Sequence, residues 1–581
     1  MREGLVALVL VLGLGGSLAR AEDDNALRPG YMASDGTPES RSEGDLRVSV
    51  PHVVQKPPRG YFPLEVTLHN TGTTPRAVRL SVRSMGRASR SDAVVVRRVE
   101  VDAHQRLSAW LFVPVNVSSG QVHIDSPGLT LAPLSFSSAG SATQSVLVLG
   151  SEKAFQEGTL LAQEREQPLL YVRFMSPADA PRELAAYVGY PEIVLASDIA
   201  GMPADVWSAL EAYAATGGLL TILLPPRDVA ERLPLLGRNT ESSKAPDSRA
   251  YGFGRVRLCE GSGTCTSALL AGVTARMDSL SHPLGEVHPA PPPHRWSREA
   301  LGSGLNPLLP GVQAPVGILL GLVTLFVLVV GPGGLMLARR KGPLVLLIAV
   351  PGVSFVACLA IVFWSVLVEG FDLHAARYSL TRLDHERARM VTLGVGGYYA
   401  NLKPKSFAVP TLAALLSSDA DWEGNVLEAD WSRGMTVSGG FLSARTYQEW
   451  GEVAVTPSRA RLFAKPGARG LVIHNALGAP LVEGRVHFGD DWWIIPPLAD
   501  GAEGEAVRME QGAVLAATWE MGFSKDVEQR IYEALKPMLR EPLPQGGFLV
   551  KLEGPGGTFS RELPVRLHEG LHLVRGQVAR P

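Results

Sequence analysis

The sequence is poor in cysteine and has no excess charge of either sign. Only 3 of its 581 residues are cysteine, and 55 basic residues nearly balance 57 acidic ones. This balance gives no field that would attract a polyanion, so we expect no nucleic-acid partner. Cys358 lies within an apolar run, whereas Cys259 and Cys265 flank a short glycine-containing loop. In an oxidising compartment these two could form a disulfide, and the alternative is a pair of reduced, partly buried thiols.

Charged residues are also missing from two long apolar runs, residues 315–338 and 342–368. Each run exceeds the roughly 20 residues with which a helix crosses a bilayer, so we expect two transmembrane helices. The turn between them consists of three basic residues, Arg339, Arg340 and Lys341. Basic residues in short loops stay in the cytoplasm, so this turn should determine the topology and place both long flanks outside the cytoplasm.

The N-terminus has the pattern of a secretory signal. Arg2 precedes an apolar stretch over residues 5–14, and the small-residue pattern Ala19-Arg20-Ala21 predicts a cut before Glu22. Residues 1–21 are therefore expected to be a signal peptide, with an uncleaved anchor as the alternative. Together with the apolar runs, this pattern predicts a two-span protein of the bacterial inner membrane with periplasmic domains.

The segment before the first run divides by the period of its apolar residues. Residues 22–44 are polar and lack a periodic apolar face, which predicts a flexible lead. Residues 45–143 alternate apolar with polar side chains between turn signals, which indicates an immunoglobulin-like β-sandwich. Residues 144–284 contain continuous apolar strands and an intervening helix from Pro203 to Gly217-Gly218, which predicts a parallel α/β domain.

The remaining segments complete a multidomain fold of the α/β plus all-β class. Residues 285–314 are rich in proline and predict a semi-rigid connector to the membrane. Residues 369–581 predict an extracytoplasmic β-rich domain, and the helical spacing over 511–539 predicts a helical insertion in it.

The α/β segment resembles the class I glutamine amidotransferase-like domain of bacterial membrane proteins. The likeness rests on residues 192–225, with a strand ending in Ser197-Asp198, a helix bearing Trp207, the Gly217-Gly218 pair and a further strand. Residues 251–257, with the sequence Tyr-Gly-Phe-Gly-Arg-Val-Arg, look like the strand that follows in those domains. With the apolar hairpin added, the chain is similar to bacterial envelope proteins that carry such a domain, and the resemblance implies a Rossmann-like parallel sheet.

The resemblance does not extend to catalysis. A working amidotransferase needs a cysteine on a strained strand-to-helix turn, with a histidine and a carboxylate to activate it. Here the strand over 219–224 ends in Pro225-Pro226-Arg227, without cysteine or serine at the turn. We therefore predict no catalytic residue, and we expect the domain to be inactive.

Asp198 is the one residue that we single out as a possible ligand-binding side chain. It follows an apolar strand at the carboxyl edge, where ligands of α/β sheets gather. A carboxylate in this place more often caps a helix or bonds the turn amides at Gly201, which is the favoured interpretation. His282, His288 and His294 recur every six residues, but the proline-rich chain spreads them apart, so we expect no metal site and no cofactor.

Two polar clusters have both a functional and a structural interpretation. Asp384-His385-Glu386, together with Arg382, Arg387 and Arg389, could contact lipid headgroups or form the solvent face of a strand. The run Asp490-Asp491-Trp492-Trp493 has the composition of a sugar-binding surface. A turn before a strand whose tryptophans fill the core is the favoured interpretation of this run.

These features together predict a non-enzymatic, membrane-anchored scaffold or binding protein. Its expected partners are the lipid bilayer and other proteins of the cell envelope. One alternative is an accessory subunit of an envelope transport or secretion complex. The other is a hydrolase whose site is assembled from dispersed residues, because catalytic groups meet in space rather than along the chain.

Overall fold

The computed structural model describes most of the chain, and its residues form a mixed α/β protein with more strand than helix. The described residues are 31–33, 36–84, 94–139, 145–158, 170–196, 198–199, 201–237, 248–259, 307–309, 316–364, 372–417, 427–468, 470–509, 530–531, 534–535, 538–539, 541–554, 556, 563 and 565–579. Several predictions lie outside them: the signal peptide, Cys265, the histidines at 282, 288 and 294, and most of the connector and of the helical insertion.

A seven-stranded sheet forms the α/β unit. In spatial order its strands are β1 (Tyr31–Ala33), β13 (Leu170–Met175), β12 (Ser145–Leu149), β14 (Glu192–Leu195), β15 (Leu219–Leu223), β17 (Gly254–Cys259) and β16 (Ser248–Tyr251). All neighbours pair in parallel except β16 and β17. When the parallel strands from β12 onward are numbered in chain order, they lie side by side in the sheet as 2-1-3-4-5, which is a doubly wound order.

Both faces of this sheet are buried, as its continuous apolar strands predict. In β12, Leu147 faces the main core, whereas Val148 faces a smaller core that includes Phe155 of helix α1 (Glu152–Gly158). Helix α2 (Ala204–Ala215) covers the main-core face, and α3 (Val229–Arg232) follows β15. Pro203 lies just before α2, and Gly217 ends the helix turn with a φ of 123°, a conformation that favours glycine.

Two other sheets pack face to face. Between them, the rings of Phe62 and Phe136 meet edge to face, with their centres 6.1 Å apart. The four-stranded sheet contains β2 (Pro38–Glu43), β3 (Leu46–Pro51), β5 (Tyr61–Asn70) and β8 (Arg106–Pro114). The nine-stranded sheet contains β20 (Phe407–Val409), β23 (Met435–Gly439), β22 (Glu428–Asp430), β7 (Val95–Val101), β6 (Arg76–Ser84), β9 (Ser119–Ser126), β11 (Leu134–Ala139), β4 (Val53–Gln55) and β10 (Leu129–Thr130).

The nine-stranded sheet is built from both sides of the apolar hairpin. Strand β22 pairs in parallel with β7. The amide of Ala429 donates to the carbonyl of Val94 at 2.9 Å, and the amide of Trp431 donates to that of Val96 at 2.7 Å. The sheet therefore crosses the boundary that the sequence predicts between residues 45–143 and 369–581.

The structure also differs from the flexible lead predicted over residues 22–44. Strand β1 adds to the edge of the α/β sheet beside β13, and β2 pairs with β3 along its whole length. The side chains of β2 are half-buried or exposed, so this strand has no apolar face to signal it. Its pairing rests on backbone hydrogen bonds at a sheet edge, which do not require apolar residues.

An eleven-stranded sheet follows the hairpin. In spatial order its strands are β21 (Ala413–Ser417), β24 (Thr446–Pro457), β19 (Arg389–Ala400), β18 (Leu373–Asp384), β31 (Val565–Gln577), β30 (Gly547–Leu552), β27 (Leu481–Phe488), β28 (Asp491–Ile495), β29 (Glu503–Arg508), β26 (Leu471–Ala476) and β25 (Arg461–Pro466). Only the pair of β18 and β31 is parallel among these neighbours. One half of the sheet shares the main core with the other sheets, and the other half has a second core around Val486 and Ile495.

The apolar hairpin contains two helical stretches, Leu320–Lys341 and Pro343–Phe363, that are long and apolar enough to cross a membrane. The first stretch covers most of α4 (Val316–Leu328), a π-turn around Pro332 and α5 (Gly334–Lys341), and the second covers most of α6 (Leu346–Trp364). Arg339, Arg340 and Lys341 form the last turn of α5 rather than a loop, where their charges complement the helix dipole. The chain reverses at Gly342, whose φ is 88°.

Candidate functional site

The crevice between the carboxyl ends of β12 and β14 is the place where a doubly wound sheet usually binds its ligand. Asp198 lies there, as the sequence predicts, and its Oδ2 accepts a hydrogen bond of 3.0 Å from the Ser151 amide. The hydroxyl oxygen of Ser151 in turn accepts one of 3.2 Å from the Ala154 amide, at the start of α1. Asp198 thus ties the loops after two neighbouring strands together.

Close packing of the backbone narrows the same crevice. A Cβ atom at Gly150 would lie 2.4 Å from Oδ1 of Asp198 and 2.4 Å from the Cβ of Ala196, so only glycine fits. Gly150 also has a φ of 137°, which side chains rarely adopt. The geometry therefore favours a structural role for Asp198, with the Ser151 amide as the partner that sequence reasoning did not identify.

The turn after β15 shares one feature with a nucleophile position, a residue of positive φ, but not its chemistry. Leu224 adopts a φ of 50°, and 52% of its surface is exposed. Its amide is held by the carbonyl of Cys259 at 2.9 Å. Strained turns between a strand and a helix present the nucleophile in several hydrolase families. Here the side chain is a hydrocarbon, which cannot attack a carbonyl group.

A cleft of about 270 Å³ lies between the α/β unit and the eleven-stranded sheet. Its charged lining comes mainly from Arg382, Arg389 and Arg575, which we call the arginine latch, together with Asp384 and Glu541. The α/β unit contributes Leu235 and Gly252 to the wall. Of the cluster predicted at 384–386, Asp384 and His385 therefore line this cleft, whereas Glu386 is exposed. Residues 385–387 form a short turn between β18 and β19.

Arg389 joins the two parts through a bidentate ion pair with Glu211 of α2. Its two terminal nitrogens lie 2.6 and 2.7 Å from the carboxylate oxygens. The hydroxyl of Tyr251 donates to the same carboxylate at 2.5 Å. Burial opposes the charged form of Arg389, but the hydrogen bonds and charge of Glu211 outweigh it and raise its pKa. Burial and the neighbouring Glu211 carboxylate raise the pKa of Tyr251, which keeps the phenol protonated.

The other two members of the latch are also engaged by protein groups. Arg575 donates to the carbonyl oxygens of Glu541 at 2.9 Å and Pro542 at 2.5 Å. Arg382 forms an ion pair with the Glu541 carboxylate, and its guanidinium lies 4.9 Å from the ring centre of Phe253. The latch therefore serves to hold the α/β unit, the segment around Glu541 and the sheet together.

The remaining sequence candidates have structural surroundings. Trp493 packs on the second core and donates from its Nε1 to the Phe488 carbonyl at 3.3 Å, whereas Trp492 stacks on His487 on the other face of β28. Cys259 is buried at the end of β17 and is disulfide-bonded. Cys265 lies outside the described residues, so its pairing with Cys259 stays a prediction.

The structure brings together two histidines that sequence reasoning missed. Nδ1 of His374 in β18 and Nε2 of His568 in β31 are 2.7 Å apart. The residues are 194 positions apart in the chain, so no local spacing could indicate the pair.

The chain matches no protein-family model and no curated protein. Its function is therefore inferred from its own geometry.

Proposed function

We propose that this chain is a membrane-anchored, extracytoplasmic scaffold or binding protein, and that its amidotransferase-like α/β unit is inactive. The apolar hairpin would anchor it in the bacterial inner membrane, with Arg339, Arg340 and Lys341 at the cytoplasmic surface. The globular parts would recognise other envelope proteins.

The observation that carries this proposal is the nine-stranded sheet shared by both flanks of the hairpin. Since β7 precedes the hairpin and β22 follows it, their pairing requires both flanks to lie on the same side of any membrane that the hairpin enters. Trp431, after β22, is fully buried against Tyr61 and Phe112 of the four-stranded sheet, with ring centres 5.9 and 4.7 Å apart. A body tied together in this way can hold its surfaces at a fixed height above the bilayer.

The geometry of the α/β unit supports a role without catalysis. Asp198 is engaged by the loop after β12, and Leu224 occupies the strained turn after β15. The arginine latch uses the neighbouring charged side chains to join the unit to the eleven-stranded sheet. These polar groups serve cohesion between the parts of the body.

A hydrolysis assay on the purified full-length protein tests the inactivity. We expect no release of ammonia from glutamine, and no cleavage of amide or ester substrates, above the rate of an Asp198→Asn, Leu224→Ala variant. Turnover that one point substitution abolishes would refute the proposal.

Cross-linking in intact cells tests the scaffold role. An amine-reactive reagent should join Lys465 and Lys551, both on the eleven-stranded sheet, to other envelope proteins. Lys341, at the end of α5, is the internal control, because the proposed topology places it in the cytoplasm. Cross-links from Lys465 or Lys551 to cytoplasmic proteins would contradict the proposal.

A further inference from the structure

The two histidines at the start of the eleven-stranded sheet form an unusual pair. His374 is the second residue of β18, ten residues after the end of α6 at Trp364. Its ring centre lies 4.9 Å from that of His568 and 6.3 Å from that of Tyr399. His568 is exposed and His374 is half-buried, so the pair is open to solvent on one side.

A β-bulge produces this arrangement. The register of β18 against β31 passes from Ala375 opposite Leu567 to Ala376 opposite Glu569, which leaves His568 as the extra residue. A bulge re-aims a side chain that would otherwise follow the regular alternation, and bulges are frequent beside functional sites. Here the re-aimed side chain is an imidazole, and it points at a second imidazole.

The contact between the rings itself requires a nitrogen lone pair, because one of the two facing nitrogens must accept the hydrogen bond. Asp372 and Arg566 also face each other, with 3.9 Å between their charged atoms. A ring nitrogen with its lone pair free is the atom through which imidazole binds a metal ion.

We propose that His374 and His568 form a two-imidazole site for a divalent transition-metal ion such as Zn²⁺ or Cu²⁺. Imidazole nitrogen is a preferred ligand of these ions, whereas Mg²⁺ and Ca²⁺ prefer oxygen. Among the residues that the structure describes, no group of three or more histidine, cysteine, aspartate or glutamate side chains could hold a metal. The ion would therefore complete its coordination with water or with a group from another molecule.

The change in geometry that the site requires is small. Two nitrogens bound at about 2.0–2.1 Å to one tetrahedral ion lie about 3.4 Å apart. The observed 2.7 Å is a hydrogen-bond distance between the two rings. They must separate by about 0.7 Å to admit the ion, and side-chain rotation at the exposed His568 can supply this shift.

Electron paramagnetic resonance of the full-length protein in detergent tests this site, with one equivalent of Cu²⁺ as the probe. We expect a signal with two coordinated nitrogens that excess Zn²⁺ removes and excess Mg²⁺ does not. His374→Gln and His568→Gln should each weaken Cu²⁺ binding about tenfold or more. His52→Gln changes an exposed histidine in the bend between β3 and β4 and should leave binding as in the wild type.

Wild-type binding in both the His374→Gln and the His568→Gln variant would overturn the proposal. If a variant does not fold, as judged by circular dichroism, chemical modification of the wild type tests the site instead. Saturating Zn²⁺ should protect His374 and His568, but not His52, from modification by diethyl pyrocarbonate. Equal modification of the pair with and without Zn²⁺ would contradict the site.

Discussion

Replacing Trp431 tests whether the segments before and after the hairpin form one cooperative body. This side chain follows β22, yet it is buried against Tyr61 in β5 and Phe112 in β8. The Trp431→Ala variant should therefore destabilise strands that lie more than 300 residues away in the sequence.

The size of the effect follows from the contacts. Truncation of a buried tryptophan to alanine costs about 3–5 kcal/mol. Two edge-to-face aromatic pairs account for about 1–3 kcal/mol of this, at roughly 0.5–1.5 kcal/mol for each pair beyond the burial of apolar area. A loss of 3–5 kcal/mol raises the opening equilibrium by about two to more than three orders of magnitude.

Hydrogen exchange followed by mass spectrometry measures this effect strand by strand. In Trp431→Ala, amides of β5 and β8 should exchange faster together with those of β22 and β23. The Nε1 proton of Trp431 meets no acceptor among the described residues, so Trp431→Phe keeps the ring contacts without orphaning another group. This variant should cost only about 1 kcal/mol.

A matched control lies in the second core. Ile495 is fully buried there, and Ile495→Ala should cost about 2–5 kcal/mol. Its effect should centre on β27 and β28 and be weaker in β5 and β8. If Trp431→Ala speeds exchange only between residues 427 and 439, while β5 and β8 keep wild-type protection, the single cooperative body is refuted.

Three further predictions concern the latch, the strained turn and the histidine pair. Arg389→Gln leaves the buried Glu211 without its cation and should lower the free energy of unfolding by about 3 kcal/mol. In urea titrations, the double variant with Glu211→Gln should lose less stability than the sum of the two single variants. Simple additivity would contradict the coupling. In thermal melts, Leu224→Gly should be neutral or stabilising by up to about 1 kcal/mol. The relief of about 1–2 kcal/mol of left-handed backbone strain exceeds the free-energy cost of the added unfolded-state entropy. A loss above about 1 kcal/mol would show that this side chain packs. The pKa of His374 is lowered from 6.5 in the folded protein. Its contribution to the free energy of unfolding is therefore full above pH 6.5 and is lost as the pH falls through the lower folded value. His374→Gln should flatten this pH dependence, and an unchanged slope would contradict the prediction.

The local structure of the α/β unit could be predicted because its apolar pattern is continuous. Side chains of β12 such as Leu147 and Val148 face opposite cores, so residues 146–149 are all apolar, as in a sheet that is covered on both faces. The position of Asp198 at the carboxyl edge followed from the same logic. Its partner did not, since the Ser151 amide belongs to another strand's loop, 47 residues away.

The joining of the flanks could not be predicted. Strands β20, β22 and β23 are only 3 to 5 residues long, too short for a period to show. The pairing of β22 with β7 is a contact between distant segments, and neither segment has a sequence feature that identifies its partner. The histidine pair has the same origin, because a bulge in β31 decides where His568 points. The apolar residues nearest this bulge in β31 keep to odd positions on both sides of it, at Val565, Leu567, Leu571 and Leu573, so the sequence does not reveal it.

Labelling of engineered cysteines with a membrane-impermeant thiol reagent tests the central claim most directly. The sites are Arg47→Cys on β3, Glu505→Cys on β29 and Lys341→Cys at the end of α5, and the wild type gives the background of the three native cysteines. In cells with a permeable outer barrier, the thiols at positions 47 and 505 should react, and the thiol at 341 should react only after the inner membrane is opened. Labelling of 47 and 505 on opposite sides of the membrane, or of 341 in intact cells, would contradict the account.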